Sequence, residues 1–249
     1  MTLITETVID GIPVLHSCPP DKTGTLPTVF IYHGWASSKE AYRLMGTLLS
    51  ALGYQVILPD LPKHGGRYEE KDLQKEFWSI IFSAVEEFAL LLRYTKAHWQ
   101  VDPRITAVLG SSAGGLVVSG IFAHFPEIYG LIAANGSGAW EEAERLFREL
   151  DGRTTATEEE MKPIREKDPV SRLKTLPLRP VLLQHGSSDS IVPIGGTKYF
   201  YEALRDVYKA RHELITYQEI PRLDHYISLG MLGEMVDWLN LHLKGESCS

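Results

Sequence analysis

Short apolar runs alternate with helix-like segments along most of the chain, and this alternation limits the possible folds more than any other feature. Several runs are almost wholly apolar, which is typical of strands buried on both faces of a parallel sheet. Between the runs, apolar residues recur at spacings of three and four, as they do from Asp72 to about Tyr94. The runs span residues 28–32, 55–58, 105–109, 131–134, 180–184 and 214–220. Strands that alternate with helices predict a doubly wound α/β fold with a mostly parallel sheet.

Two further strands are expected near the N-terminus. Residues 5–9 and 12–16 are joined around Asp10-Gly11, a dipeptide typical of tight hairpin turns. They predict an antiparallel hairpin at the edge of the sheet, which brings the expected sheet to eight strands. A length of 249 residues fits one large α/β domain, so we expect residues 1–249 to form a single domain.

The stretch from about residue 140 to 175 departs from this alternation, because it is rich in charge and has no strand pattern. Two short amphipathic helices are expected in it, at about 141–150 and 158–166. An insertion of this kind above a sheet often serves as a lid over a site, although an enlarged helical crossover is the plainer alternative. We favour a lid insertion at about 140–175. The residues expected to line the substrate pocket from it are Trp140, Leu146, Phe147 and Met161.

A candidate nucleophile lies in the sequence Gly110-Ser111-Ser112-Ala113-Gly114. This G-x-S-x-G pattern follows an apolar run and leads into a helix-like segment, which is the strand–turn–helix context that gives the motif its meaning. A nucleophilic serine needs a sharp, strained turn, and glycines two residues to either side let strand and helix pass closely. Such a pattern also arises by chance, so the context and the downstream partners make Ser112 the candidate.

A serine hydroxyl is a poor nucleophile at neutral pH and needs a base, which an acid must hold in the right tautomer. Asp189 and His225 each follow one of the later apolar runs. Because open α/β sheets build their sites at the C-terminal ends of parallel strands, these residues are expected at the same edge as Ser112. The sequence therefore predicts a catalytic triad of Ser112, His225 and Asp189.

Three polar residues close to these positions are expected to have different roles. Asp60 is an alternative acid, but Asp189 lies between the serine and the histidine in the chain and fits better. Asp224 adjoins His225, and since adjacent side chains in a loop usually point apart, a solvated or capping role is expected. His185 precedes a turn glycine and is expected to be structural.

Acyl transfer also needs hydrogen-bond donors aimed at the developing oxyanion. The backbone N–H of Ala113 is one candidate, because it follows the nucleophile at a helix N-terminus. The backbone N–H of Trp35 is the second, since Gly34 permits the turn that would point it inward. The Trp35 indole would then form a wall of the acyl pocket; the alternative is an ordinary packed aromatic.

Composition excludes several other classes of function. The net charge of −7 gives no basic surface, so nucleic acid is not an expected partner. No apolar run is long enough for a membrane span, and the N-terminus lacks the basic start and apolar core of a signal peptide. Cys18 and Cys248 suit neither a disulfide framework nor a metal site. We expect a cytoplasmic protein with no metal, no cofactor and a small-molecule substrate; the oligomeric state is not predicted.

The order of these motifs resembles that of the α/β-hydrolase superfamily along nearly the whole chain. The matching segments are His33-Gly34, Asp60–Arg67, Val101–Arg104, Gly110–Gly115, Gly186–Asp189 and Asp224-His225. The stretch His64-Gly-Gly-Arg67 is similar to that of small single-domain esterases related to the prolyl oligopeptidase and dienelactone hydrolase branches. The resemblance implies a carboxylic-ester hydrolase with an acyl-enzyme intermediate. Dienelactone hydrolases carry a cysteine where Ser112 stands, and prolyl peptidases carry a propeller domain for which 249 residues leave no room.

Two alternatives to an esterase remain at this point. A thioesterase or a small-amide or peptide hydrolase would use the same triad. A non-catalytic binding module could retain the fold without the chemistry, because a fold does not guarantee a function.

Overall fold

A computed structural model of the chain describes residues 3–20, 24–68 and 73–245. Cys248, and Asp72 at the start of a predicted helix, lie outside these ranges. One sheet of eight strands contains all strands of the described residues, in the order β1-β2-β4-β3-β5-β6-β7-β8. The strands are β1 (Leu3–Ile9), β2 (Ile12–Cys18), β3 (Thr28–Tyr32), β4 (Gln55–Pro59), β5 (Thr106–Ser111), β6 (Gly130–Ala134), β7 (Val181–Gly186) and β8 (Ile215–Ile220).

The first two strands form the predicted antiparallel hairpin. β1 pairs with β2 in a register that runs from Leu3 opposite Cys18 to Ile9 opposite Ile12. Asp10 and Gly11 have φ values of 48° and 83°, as a two-residue turn that follows the twist of its strands requires. β2 is also antiparallel to β4, and every later pairing is parallel. The mixed sheet with an antiparallel hairpin at its edge is therefore confirmed.

Helices cover both faces of the sheet. They are α1 (Arg43–Ala51), α2 (Phe77–Trp99), α3 (Ala113–His124), α4 (Trp140–Leu150), α5 (Glu158–Lys167), α6 (Ile194–Val207) and α7 (Leu229–Leu239), the last continued by a π-helical turn at Asn240–Lys244. One buried cluster joins the sheet to α2, α3, α4 and α6, and a second joins it to α1 and α7. Residues in β3, β4 and β5 are all buried, because these central strands lie between the two layers. The doubly wound α/β architecture is confirmed.

The segment between β6 and β7 contains the two expected helices, α4 and α5, followed by a 3₁₀ helix at Pro169–Thr175. Thr157 and Glu160 form a capping box that starts α5. Both carboxylate oxygens of Asp168 accept hydrogen bonds from the first amides of α4, those of Trp140 and Glu141, each at 3.0 Å. These bonds connect the end of the insertion to its beginning. That the segment acts as a lid stays a prediction.

No helix among the described residues is long and apolar enough to cross a membrane.

Candidate active site

Ser112 occupies the sharp turn between β5 and α3. Its backbone has φ 59° and ψ −126°, a combination that non-glycine residues rarely adopt and that costs conformational energy. The turn is possible because Gly110 and Gly114 lack side chains. A Cβ on Gly110 would collide with the backbone of Gly114 at the start of α3, and a Cβ on Gly114 would collide with the backbone of Tyr32 and His33 at the end of β3. The strand therefore passes directly into the helix, and the serine stands at the C-terminal edge of the sheet.

Asp189 and His225 form a hydrogen-bonded pair at this edge. His225 Nδ1 lies 2.7 Å from Asp189 Oδ2, while Asp189 Oδ1 accepts the amides of Ile191 and Val192 at 2.9 and 2.8 Å. The Asp189 side chain is fully buried. Burial alone would raise its pKa, but hydrogen bonds from His185, from His225 and from the two amides outweigh burial and hold the pKa well below its usual range. Asp189 is thus an ionised acceptor at neutral pH.

The charge on Asp189 fixes the orientation of His225. Because a carboxylate only accepts hydrogen bonds, the contact at 2.7 Å requires a proton on His225 Nδ1. In the neutral ring Nε2 then carries a lone pair and can accept a proton. The side chain is 21% exposed, so a substrate or a water can approach this nitrogen. This is the arrangement that a general base requires.

Asn135, which the sequence reasoning missed, connects the strands that carry these residues. It follows β6 with φ 47°. Its Nδ2 donates to the carbonyl of Tyr226, next to His225, at 2.9 Å, and its Oδ1 accepts the amide of Gly186 in β7 at 3.1 Å. The amide of Ser112 in turn donates to Ala134 O at 3.0 Å. The serine turn and the histidine loop are therefore bonded to two consecutive residues at the end of β6.

Asp224 does not act as the acid partner of His225. Its carboxylate caps three donors: the Ser190 amide at 2.8 Å, the Ser190 hydroxyl at 2.9 Å and the His225 amide at 2.8 Å. It thereby fastens the loop that carries Asp189 to the loop that carries His225, as the capping role expected from the sequence implies.

Asp60 is likewise separate from the base. It is buried, and its carboxylate accepts the Lys39 amide at 2.7 Å and the Gly66 amide at 2.9 Å. The same carboxylate lies 3.3 Å from Lys39 Nζ. Asp60 therefore anchors the loop after β3 against the segment after β4, and Asp189 is the carboxylate that contacts His225.

The loop proposed to complete the oxyanion site passes close to the nucleophile. A Cβ on Gly34 would lie 3.4 Å from Ser112 Cβ and 3.8 Å from its Oγ. The next residue, Trp35, is partly buried, and its ring packs against His64 and Phe77 with centroids 4.7 and 5.1 Å away. Ala113 is the first residue of α3, where backbone N–H groups have no partner within the helix. These positions are compatible with the two predicted donors.

The four residues expected to line the pocket lie in different surroundings. Trp140 is 1% exposed and packs against Trp78 and Phe82 in the core. Phe147 is partly buried and its ring lies 5.8 Å from that of Phe77, which itself contacts the Trp35 ring.

Leu146 and Met161 lie on other parts of the insertion. Leu146 faces Gly195 at the start of α6. Met161 lines a cavity of about 510 Å³ between α4, α5 and α6, whose lining includes Arg145 and Tyr199 but none of the three candidate catalytic residues. Of the four, Phe147 connects most directly to the loop beside Ser112.

Sequence comparisons agree with this fold. The family model described as the prolyl oligopeptidase family matches residues 42–244. Esterase YjfP of Escherichia coli (strain K12) is 33% identical over 241 residues, which cover 93% of this chain and 96% of that protein. YitV of Bacillus subtilis (strain 168) is 26% identical, over 98% of this chain and 100% of that protein.

Solved structures share the architecture. TT1662 from Thermus thermophilus has a TM-score of 0.81 at 20% identity and covers 98% of this chain and 99% of its own. A puromycin-hydrolyzing peptidase from Mycobacterium tuberculosis has a TM-score of 0.77 at 18% identity, with 100% of this chain matching 40% of that one. The family match over most of the chain, the identity with a named esterase along nearly its full length and the shared fold make this protein a hydrolase of the prolyl oligopeptidase family, with an α/β-hydrolase fold.

Proposed function

We propose that the protein is a serine esterase that cleaves small to medium carboxylic esters with Ser112, His225 and Asp189. The observation that carries this proposal is the 2.7 Å hydrogen bond between His225 Nδ1 and a buried, ionised Asp189, at the sheet edge where Ser112 occupies a strained turn. The identity with Esterase YjfP supports ester bonds as the substrate class.

Acylation begins when Ser112 Oγ attacks the ester carbonyl carbon and its proton moves to His225 Nε2. Asp189 stabilises the imidazolium that forms and keeps Nδ1 protonated. The amides of Ala113 and Trp35 donate to the oxyanion of the tetrahedral intermediate. His225 then gives the proton to the alkoxy oxygen, the alcohol leaves, and the acyl group remains on Ser112.

Deacylation repeats these steps with water. His225 Nε2 takes a proton from the water as its oxygen attacks the acyl carbon, and a second tetrahedral intermediate uses the same two amides. Its collapse returns the proton to Ser112 Oγ and releases the carboxylic acid. The cycle consumes one water and needs no cofactor or metal.

Hydrolysis of p-nitrophenyl esters from acetate to dodecanoate tests this proposal. The wild type is expected to hydrolyse the shorter esters, and Ser112→Ala to lose at least about 10⁴-fold in kcat, because the nucleophile is absent. Equal rates in the two proteins would exclude Ser112 as nucleophile. Thioester, anilide and short peptide substrates run in parallel decide between the esterase and the alternative acyl-transfer activities, which share the triad.

The proposed lid is tested by the preferred chain length. We propose that Trp140, Leu146, Phe147 and Met161 shape the acyl pocket from the insertion, and that Phe147 acts through its contact with Phe77. Leu146→Ala and Phe147→Ala are expected to shift the preferred chain length.

Leu150 lies on the same helix as these two residues and is 53% exposed, so Leu150→Ala is the matched control and should leave the preference unchanged. If Leu146→Ala, Phe147→Ala and Leu150→Ala all keep the chain-length preference of the wild type, the proposal that the insertion acts as a lid is refuted.

A further inference from the structure

A second histidine contacts the carboxylate that orients His225. His185 lies near the end of β7, and its side chain is fully buried. Its Nδ1 lies 2.7 Å from Thr197 Oγ1 in α6, and its Nε2 lies 3.0 Å from Val192 O and 3.1 Å from Asp189 Oδ2. Both ring nitrogens therefore have partners. Whether each partner donates or accepts a hydrogen bond determines which ring nitrogens of His185 carry a proton.

On one side of the ring, Thr197 can only accept. Its Oγ1 lies 2.6 Å from Gly136 O, a distance that requires a hydrogen between the two oxygens. A carbonyl oxygen carries no hydrogen, so the Thr197 hydroxyl donates to Gly136. Because that hydroxyl has only one hydrogen, its contact with His185 at 2.7 Å must be donated by Nδ1–H.

On the other side, Nε2 faces two acceptors. Val192 O is a carbonyl, and Asp189 is ionised because its hydrogen bonds hold its pKa well below the usual range. A bare lone pair on Nε2 would oppose the lone pairs of both oxygens in a buried site, which is strongly unfavourable. The contacts therefore require a proton on Nε2 as well.

We propose that His185 is a buried imidazolium, protonated on both nitrogens, that serves as a positioning residue for Asp189. The carboxylate oxygen Oδ2 is then held between two histidines, His225 on the solvent side and His185 on the core side. His225 is the catalytic residue, and His185 acts on it through Asp189. This inference rests on the proposed esterase mechanism for its kinetic consequence, but the protonation state itself does not depend on activity.

The charged groups around His185 come from four elements. Asp189 lies in the loop after β7, and His225 lies beyond it in the loop after β8. Glu219 is opposite His185 in the β7–β8 register and pairs with Lys198 of α6 at 2.9 Å. Since Glu219 has its own cation, Asp189 is the direct counter-ion of the proposed imidazolium.

A second cation next to Asp189 has a measurable effect on the base. His185 Nε2 and His225 Nδ1 contact the same oxygen at 3.1 and 2.7 Å, so the two rings are close enough to repel when both are charged. A positive charge on His185 therefore disfavours a second positive charge on His225. In His185→Gln, whose amide can still donate to Asp189 but carries no charge, the acid limb of the kcat/KM profile should move up by about one pH unit.

The direct test is the side-chain ¹⁵N–¹H NMR spectrum of protein labelled with ¹⁵N-histidine, recorded on Ser112→Ala to suppress turnover. The expected result at neutral pH is one histidine with two protonated ring nitrogens. This signal should be absent in His185→Gln. A His185 ring with a single protonated nitrogen would overturn the proposal.

One matched pair keeps the NMR test informative if His185→Gln does not fold. Thr197→Ser preserves the acceptor for Nδ1 and should keep the doubly protonated ring, whereas Thr197→Val removes the acceptor and should convert it to a singly protonated one. For kinetics, Lys198→Gln removes a positive charge that pairs with Glu219 instead of Asp189, and should move the acid limb by less than about 0.3 pH units.

An acid limb that moves equally in His185→Gln and Lys198→Gln would refute a role through Asp189. If no ester, thioester or peptide is hydrolysed, the proposed function fails, yet the NMR result still decides the charge of His185.

Discussion

Gly136 and Gly115 approach each other closely beside the turn that carries Ser112, and adding a methyl group at Gly136 tests this packing. In Gly136→Ala, the new Cβ would lie 2.8 Å from Gly115 Cα and 2.9 Å from the carbonyl oxygen of Ser112. Both distances are shorter than a Cβ atom tolerates, and both partners are backbone atoms. The methyl group can therefore be accommodated only if the loop after β6 and the start of α3 move apart.

The size of the effect follows from this overlap. Restoring ordinary contact distances requires a shift of roughly 0.5 Å between the two segments, and overpacking of this kind typically costs about 1–3 kcal/mol of unfolding free energy. The displaced atoms include the carbonyl of Ser112 itself. Since a 1 Å misplacement can cost about 10²-fold in rate, a shift of this size should lower kcat/KM by about tenfold.

Urea denaturation and p-nitrophenyl butyrate kinetics measure the two effects on the same protein. Gly233→Ala is the matched control, because a Cβ at Gly233 in α7 meets no atom within 4 Å. It should leave kcat/KM unchanged and add about 0.5–1 kcal/mol of stability through helix propensity. If Gly136→Ala matched Gly233→Ala in both stability and rate, the close packing at the nucleophile turn would be refuted.

Two further predictions concern titratable groups. Asp189→Asn should lower kcat by about 10⁴-fold, since the wrong tautomer of His225 is then stabilised. The pKa of Asp189 is lower in the folded protein than its unfolded value of about 3.9, so the stability that this carboxylate contributes is present above that pH and is lost as the pH falls below it. In acid denaturation curves, the difference in unfolding free energy between the wild type and Asp189→Asn should therefore narrow below about pH 4. A constant difference would contradict this. Burial lowers the pKa of His16 to about 4, so the wild type should lose about 1–2 kcal/mol relative to His16→Phe between pH 6.5 and pH 4, measured by urea unfolding at each pH. Parallel stability profiles would show that His16 titrates normally.

The fold could be predicted from the sequence because its central strands are almost wholly apolar. Residues 28–32 are predicted as a strand and form β3 with the same bounds, since an apolar run buried on both faces leaves no other choice. The strand predicted at 180–184 is longer than expected: β7 continues through His185 and Gly186, which pair with Glu219 and Ile220. Polar residues and glycine interrupt the apolar pattern there, although the ladder continues.

The candidate site could be predicted from the sequence only in part, because the contacts that support its side chains join residues far apart in the chain. Ser112, Asp189 and His225 each carry a local signal, a motif or a polar residue at the end of a strand. Asn135 joins β6 to a carbonyl 91 residues away, and no local pattern indicates such a bond. The contact of His185 with Asp189 depends on the ring filling a buried space under the acid loop, which only the packing of β7 on α6 defines.

The most direct test of Ser112 as an activated nucleophile is labelling with a fluorophosphonate, followed by intact mass and peptide mapping. The reagent forms a covalent bond with a serine that is activated by a neighbouring base. We expect a single adduct, located on Ser112, that is absent in Ser112→Ala and forms far more slowly in His225→Ala. An adduct on another residue, or rapid labelling of Ser112 in the absence of His225, would contradict the proposed triad.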